Sequence, residues 1–251
     1  WDIIFKIMKV SIITISFNAM VTIEKTLLSV ANQSYENIEH IIVDGNSKDN
    51  TIDICKSYSH ISKILSEPDK GVYDAFNKGI KLATGDVIGF LNADDTFYNE
   101  NSIQDIVDAF SNNEADIVYG NLDYVNEESK VIRNWISKPY EKGLVKKAWM
   151  PAHPSFYCKK EVYDRLGGYN DSFKIAGDFE LCLRFLEVNK VSSYYLNNKL
   201  VKMLVGGISN NGLKSKLTIF KEELRAFKIN NISVNPVLFF FYKLKKLKQF
   251  F

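Results

Sequence analysis

Asn92-Ala93-Asp94-Asp95 follows an apolar run, Val87-Ile88-Gly89-Phe90-Leu91, so two adjacent carboxylates stand where a buried strand is expected to end. Unpaired carboxylates in such a place are costly, and a cation relieves the cost. Hard divalent ions such as Mg²⁺ or Mn²⁺ take oxygen ligands and bind through one or two carboxylates plus substrate phosphates, which suits a nucleoside diphosphate. An Asp-Asp turn capping the helix that follows accounts for the same residues equally well.

Three further places carry chemistry. Asp44, in Val-Asp-Gly-Asn-Ser-Lys-Asp, ends a second apolar run and can accept from a base imide or a ribose hydroxyl; a polar turn with Asn46 or Ser47 as helix cap is the plainer reading. Glu67-Pro-Asp-Lys-Gly-Val-Tyr-Asp leads into a helix, where backbone N–H groups and Lys70 can meet a diphosphate, as ordinary capping also allows. Asp178, in Ala-Gly-Asp-Phe-Glu-Leu-Cys-Leu-Arg, opens an amphipathic helix and is either an N-cap or a carboxylate able to take a proton from an acceptor hydroxyl. His153 sits in a Pro-bounded loop, whereas His40 begins an apolar strand and His60 lies beside a helix end. The chain holds neither GxxxxGK[ST] nor, after its first strand, GxGxxG.

These residues need a scaffold that gathers strand ends. Residues 10–17, 38–43, 61–65, 86–91 and 115–119 read as strands, and residues 22–33, 49–58, 73–83 and 102–110 read as the helices between them. That alternation predicts an α/β fold with a largely parallel sheet covered on both faces. Ligands of such sheets bind beyond the carboxyl ends of the strands, where Ser16, Phe17, Asp44, Asp94 and Asp95 all fall. Short strands at 122–125 and 130–136 and helices at 160–166 and 178–188 follow, and this later part is expected to supply the second substrate site.

The 251 residues suffice for one large domain with a sizeable core. Net charge is +2, but residues 212–251 carry nine Lys or Arg against two Glu, a local +7 that leaves −5 for the rest. The aromatic groups of that tail form an apolar block, which argues for anionic lipid rather than nucleic acid. Residues 237–251 alternate large apolar groups with lysines and read as an amphipathic helix on a membrane surface, with a terminal helix docked on the core as the alternative. Cys55, Cys158 and Cys182 are isolated, so neither a disulfide framework nor a zinc knuckle is indicated, and a reducing cytoplasm fits. No apolar run reaches the length of a membrane span. The chain opens on Trp, and Met8 reads as the natural start, with residues 1–7 an upstream extension.

Taken in order, the segments starting at Val10, Val43, Gly71, Gly85, Leu91, His153 and Gly167 (Val-Ser-Ile-Ile-Thr-Ile-Ser-Phe-Asn, Val-Asp-Gly-Asn-Ser-Lys-Asp, Gly-x-Tyr-Asp-Ala-x-Asn-Lys-Gly, Gly-Asp, Leu-Asn-Ala-Asp-Asp, His-Pro-Ser and Gly-Gly-Tyr, with Gly-Asp-Phe-Glu-Leu-x-Leu-Arg at Gly177) resemble glycosyltransferase family 2 over roughly residues 9–210. The resemblance implies a GT-A fold, a Rossmann-like, mostly parallel sheet with helices on both faces. Its nucleotide-sugar half would occupy residues 8–120, its acceptor half residues 121–211, and a basic helical tail residues 212–251. It implies inverting transfer of one sugar from a nucleotide-sugar, a UDP-sugar in preference, with a divalent cation, Mn²⁺ or Mg²⁺.

The roles implied are as follows. Thr14, Ser16, Phe17, Asn18, Asp44 and Ser47 line the nucleoside pocket, Lys70 and Asn77 serve the donor, Asp94 and Asp95 hold the metal and diphosphate, Asp178 is the general base and His153 lies beside it. Asn92 stands where the usual motif has an acid, and Gly177 where many relatives have one before the base. The absence of QxxRW argues against a processive polymerase. Family habit suggests a lipid-linked sugar acceptor in surface-polysaccharide assembly at the inner face of a cell membrane. A sugar-phosphate nucleotidyltransferase, or a degenerate relative that binds without turnover, are the competing classes.

Overall fold

The structure is a computed structural model that describes residues 7–206 and 212–247. Most of the 1–7 extension, the end of the expected acceptor half at 207–211 and the tip of the tail at 248–251 lie outside the described residues.

The first half follows its hydrophobic pattern closely. Strands β1 (Val10–Ser16), β2 (Ile38–Asp44), β3 (Ile61–Ser66) and β4 (Val87–Phe90) alternate with helices α1 (Ile23–Ala31), α2 (Thr51–Lys56) and α3 (Val72–Leu82). The strands lie in the order β3-β2-β1-β4 and all pair in parallel. Strand β1 is nearly all apolar because both its faces are covered. Ile13 meets Tyr73, Phe76 and Ile80 of α3, while Val10 and Ile12 belong to the opposite core with Ile103, Ile106 and Phe110 of α4 (Ser102–Asn112).

The second half extends the same sheet with mixed pairing. After a short β5 (Thr96–Phe97) and α4 come β6 (Ile117–Val125), β7 (Val131–Trp135), β8 (Phe156–Lys159), α5 (Lys160–Leu166), α6 (Gly177–Cys182) and β9 (Ser193–Leu204). Strand β8 is inserted antiparallel between β4 and β6, and β9 pairs in parallel with β6 and antiparallel with β5. The strands expected at 115–119 and 122–125 are one continuous β6. At Gly120, between them, the missing side chain lets β9 approach: a Cβ there would stand 2.8 Å from the Asn198 carbonyl oxygen. The register of β6 and β9 shifts at this point. The expected helix at 178–188 starts as α6 and widens into a π-helical stretch, Leu183–Val188.

Two C-terminal helices, α7 (Gly212–Ile229) and α8 (Pro236–Leu247), complete the chain. They are docked rather than detached: Phe227 and Phe239 are buried and meet Phe179 of α6 at ring separations of 5.4 and 6.1 Å. No helix among the described residues is long and apolar enough to cross a membrane. The three cysteines are free and buried.

Candidate active site

The ends of β1 and β2 are fastened to each other by side chains. Asp44 is fully buried, and its carboxylate accepts four hydrogen bonds. Oδ1 takes the Ser16 hydroxyl at 3.0 Å and the Ser47 hydroxyl at 2.5 Å; Oδ2 takes the Ser47 N–H at 2.8 Å and the Ser66 hydroxyl at 2.7 Å. Four acceptor sites are all a carboxylate offers, so a ligand N–H reaching Asp44 must displace or share a serine hydroxyl. Asn18, in the left-handed region at φ 49°, joins the two loops: its N–H donates to Ser47 Oγ and its Oδ1 accepts from the Lys48 N–H. Phe17 projects from this rim and is 64% exposed. Gly45 lies below it, where a Cβ would stand 2.6 Å from Asp69 Oδ2 and 3.2 Å from the Phe17 ring. The rim of this corner is therefore Phe17, Gly45 and Asp69.

Thr14 sits deeper and does not reach the rim. It is buried, 3.0 Å from His40 Nε2, and His40 Nδ1 in turn lies 3.1 Å from His60 Nε2. Burial holds His40 down to about 3, so the pair is neutral at physiological pH.

Asp94 and Asp95 follow the end of β4. Asp95 is wholly buried; Asn92 Nδ2 donates to its Oδ2 at 3.0 Å and the Leu204 N–H to its Oδ1 at 3.2 Å. The Asp95 carbonyl accepts from Thr26 Oγ1 at 2.7 Å, which ties the turn to α1. Burial, then the neighbouring Asp94 charge, pushes Asp95 well above the usual carboxylate range, and burial also raises Asp94. Asp94 has no hydrogen-bond partner from another described residue. Asn92 thus acts through its amide, as a donor that steadies Asp95.

Asp178 is the second residue of α6, whose cap is Ala176, so it is not the N-cap. Its Oδ1 accepts from the Phe179 N–H at 2.8 Å, with the Tyr73 hydroxyl more distant at 3.4 Å because that hydroxyl donates to the Ile175 carbonyl at 2.6 Å. Burial raises Asp178, and His153 partly offsets this. His153 Nε2 lies 2.5 Å from the Tyr169 hydroxyl, and its ring stacks on Phe90 at 6.0 Å. Burial lowers His153, and the Asp178 charge partly offsets this. Gly177 is explained by packing: a Cβ there would stand 2.7 Å from the Tyr73 ring.

Tyr124 of β6 feels the charge of both acidic groups. Its phenol is raised first by burial, with Arg133 lowering it and the charges of both Asp95 and Asp178 raising it. One side chain is therefore within electrostatic reach of both the strand-end pair and the carboxylate on α6.

Residues 11–173 match the family profile described as "Glycosyl transferase family 2". An uncharacterised glycosyltransferase of Mycobacterium tuberculosis (strain CDC 1551 / Oshkosh) is 36% identical over 179 residues, which are 70% of this chain and 68% of that protein. The chain belongs to glycosyltransferase family 2. A UDP-Glc:alpha-D-GlcNAc-diphosphoundecaprenol beta-1,3-glucosyltransferase of Escherichia coli is 31% identical over 216 residues, covering 82% of this chain and 81% of the relative. Relatives in Mycobacterium bovis include a PGL/p-HBAD biosynthesis glycosyltransferase, 28% identical over 206 residues, 80% of this chain and 78% of that one.

Among solved structures, S. aureus TarS 1-349 in complex with UDP-GlcNAc superposes with a TM-score of 0.71 over 96% of this chain and 72% of that one, at 18% identity. The mannosyltransferase PcManGT of Pyrobaculum calidifontis, in complex with GDP-Man and Mn²⁺, gives 0.61 over 90% of this chain and 68% of that one, at 16% identity. The GT-A fold expected of this glycosyltransferase is the one observed. Membership sets aside the nucleotidyltransferase reading.

The enzyme brings together Ser16, Phe17, Asn18, Asp44 and Ser47 at one corner, Asp94 and Asp95 at the next strand end, and His153 with Asp178 beyond. Two other expected donor residues are placed differently. Asn77 uses both ends of its amide on the Tyr169 backbone, at 2.8 Å each, and so braces the turn that carries Tyr169. Lys70 is exposed, with its backbone N–H bound to Asp74 at 3.0 Å. Sequence reasoning missed Asp69, Tyr124 and Glu222. The Glu222 carboxylate on α7 accepts three successive N–H groups, of Lys174, Ile175 and Ala176, at 2.8 to 2.9 Å, and thereby holds the loop ahead of Asp178. Asp69 was within a quoted motif, whereas Glu222 lies 44 positions after Asp178 with no local signal.

Proposed function

We propose that this glycosyltransferase moves a single sugar from a UDP-sugar to a hydroxyl of a lipid-linked acceptor, with inversion, in cell-surface polysaccharide or glycolipid assembly at the cytoplasmic face of a membrane. The observation that carries the chemistry is the Asp178 carboxylate at the start of α6, held by the Phe179 N–H and raised by burial, in a chain whose adjacent Asp94 and Asp95 follow the end of β4. The relative whose name specifies a UDP-Glc donor and a diphosphoundecaprenol acceptor supports the choice of both substrates.

Asp94 and Asp95 fit a divalent ion. They are adjacent, both raised by burial, and Asp94 lacks a partner among the described residues. Among the described residues no third His, Cys, Asp or Glu joins them; Mg²⁺ or Mn²⁺ would take its remaining ligands from donor phosphates and water. When bound, such an ion neutralises charge that builds on the departing diphosphate.

The chain's own residues do the rest. Phe17 and Asp69 border the nucleoside corner, and Asp44, with Ser16 and Ser47, fixes its shape and meets a base or ribose where that group displaces or shares a serine hydroxyl. Asp178 removes the proton of the acceptor hydroxyl while that oxygen attacks the anomeric carbon. The bond to the diphosphate oxygen breaks on the opposite side, so the anomeric configuration inverts. His153, held against Tyr169, lies within electrostatic reach of Asp178. A panel of nucleotide sugars with Mn²⁺ or Mg²⁺ tests the reading: donor turnover is expected to disappear in Asp95→Ala, and normal turnover in that variant would sink the assignment.

A further inference from the structure

Helix α8 is amphipathic in an unusual sense, because its apolar side faces away from the protein. Phe239 is buried and fixes the rotation of the helix, packing on Phe179, Phe220 and Phe227 with ring centroids 5.2 to 6.1 Å away. Lys243 flanks that inner side and pairs with Glu223. At roughly 100° per residue, Val237, Leu238, Phe240, Phe241 and Leu244 then fall on one continuous outer arc. All five are exposed, Val237 at 64% and Phe241 at 55%. Turning this arc inward would pull Phe239 out of its aromatic cluster, so among the described residues the outer face is left exposed apart from the edge contact of Phe240 with Phe220 at 5.7 Å.

The charges around it name the partner. From Leu224 onward the sequence carries six Lys or Arg and no Asp or Glu, of which Arg225 bonds Ser172 and Lys243 pairs with Glu223. Lys245 is exposed among the apolar residues of the outer arc. At the root of α8 an open cleft of about 320 Å³ is floored by Val234, Leu238 and Tyr242 and flanked by Lys146 and Lys147. A second copy of this chain would bring the same positive charge against itself, whereas an anionic bilayer offers acyl chains to the aromatics and phosphates to the lysines.

We propose that the outer face of α8, together with the lysine-flanked cleft at its root, seats the enzyme on an anionic lipid bilayer. The proposal rests on the reading of the acceptor as lipid-linked and supplies the surface by which the protein meets it. Because α7 holds the loop ahead of Asp178 through Glu222, the same two helices join the lipid surface to the catalytic half.

The test is co-sedimentation of the full chain with vesicles of phosphatidylcholine alone or with about one-third phosphatidylglycerol. Binding is expected to the anionic vesicles only and to fall with added salt. Replacing Phe240→Ser with Phe241→Ser should weaken it by about tenfold or more, and Lys245→Glu, which leaves the apolar face intact, should weaken it by a smaller factor. Transfer to a water-soluble acceptor without vesicles should be unchanged in all variants, and this separate assay reports on the proposed chemistry alone. Failure of wild-type protein to bind anionic vesicles, or unchanged binding in the double variant, overturns the proposal. So does a dimer in sedimentation that the double variant dissolves, since the face would then belong to a second copy.

Discussion

Buried carboxylates occupy both ends of the central strands, and the two ends treat them oppositely. At the amino end, Glu39 of β2 accepts the Ser11 hydroxyl and the Thr84 N–H and hydroxyl, each at 2.7 Å, and lies 3.3 Å from both Lys9 and Lys63. Burial alone would raise it, but these donors outweigh burial and hold it down to about 2. At the carboxyl end, Asp95 is buried and Asp94 and Asp178 are half-buried; all three have fewer donors and are raised. A carboxylate surrounded by donors stabilises the fold, whereas one left short of them holds free energy that a substrate or cation can satisfy.

The sharpest way to break this contrast is to remove one member of each set. Asp95→Ala should lower turnover by about 10³-fold, read from donor consumption, while its thermal midpoint stays close to wild type. Glu39→Ala should do the reverse: the Ser11 and Thr84 donors lose their acceptor, stability falls by about 3 kcal/mol in urea unfolding, and the folded fraction keeps its activity. Asp94→Asn sharpens the point, because removing a like charge beside Asp95 should raise stability by about 1 kcal/mol, a shift of roughly 2–4 °C. A destabilised Asp94→Asn would show that the pair is structural.

The pH dependence separates the two ends as well. Glu39 binds its proton less tightly folded than unfolded, so its stabilisation is complete above the unfolded value of about 4.3 and is lost as pH falls toward 2. Asp178 is raised, so its charged form opposes folding at neutral pH, and acidification through its folded value relieves that cost. The same proton disables the base. The acid limb of kcat should therefore lie above the ordinary carboxylate range, and Asp178→Asn should abolish that limb with a loss of about 10²- to 10³-fold in kcat and little change in the KM for the donor. An acid limb unchanged in Asp178→Asn would move the base elsewhere.

How much of this was legible in the sequence depends on distance along the chain. The strand-helix units through β4 were clear because each carries its own period and the site residues fall at the ends of apolar runs. Strand β8 was missed because four residues after a proline give no period, and β9 because Asn197, Asn198 and Lys199 interrupt its apolar pattern where its register with β6 shifts. Asn77 and Lys70 lie in a motif that marks the donor site, but the motif does not say which side chain touches a ligand and which, like Asn77, holds a neighbouring turn. Tyr124 looks like any half-buried strand tyrosine until β6 is placed beside both acidic groups.

Glu222 tests whether the carboxyl end depends on support from outside the sheet. Its three accepted N–H groups precede Asp178 directly, so Glu222→Ala leaves them without a side-chain partner and frees the loop that aims the base. A drop of about tenfold in kcat with an unchanged donor KM is expected, and Glu222→Gln, which keeps one oxygen acceptor, should recover part of it. Equal losses in kcat and in thermal stability for both variants would reduce Glu222 to a structural cap.

The smallest effect belongs to Asp44, which combines features of both ends: it stands at the carboxyl edge, yet it is as fully bonded as Glu39. Ser66→Ala removes one of its four donors, worth about 1 kcal/mol or roughly fivefold. If Asp44 serves the nucleoside, the vacated acceptor site becomes available to the ligand, so the donor KM should change by that factor while kcat holds. If Asp44 only ties β1, β2 and β3 together, the same 1 kcal/mol should instead appear in unfolding, with the donor KM untouched. Measuring both quantities on one variant decides to which end of the comparison Asp44 belongs.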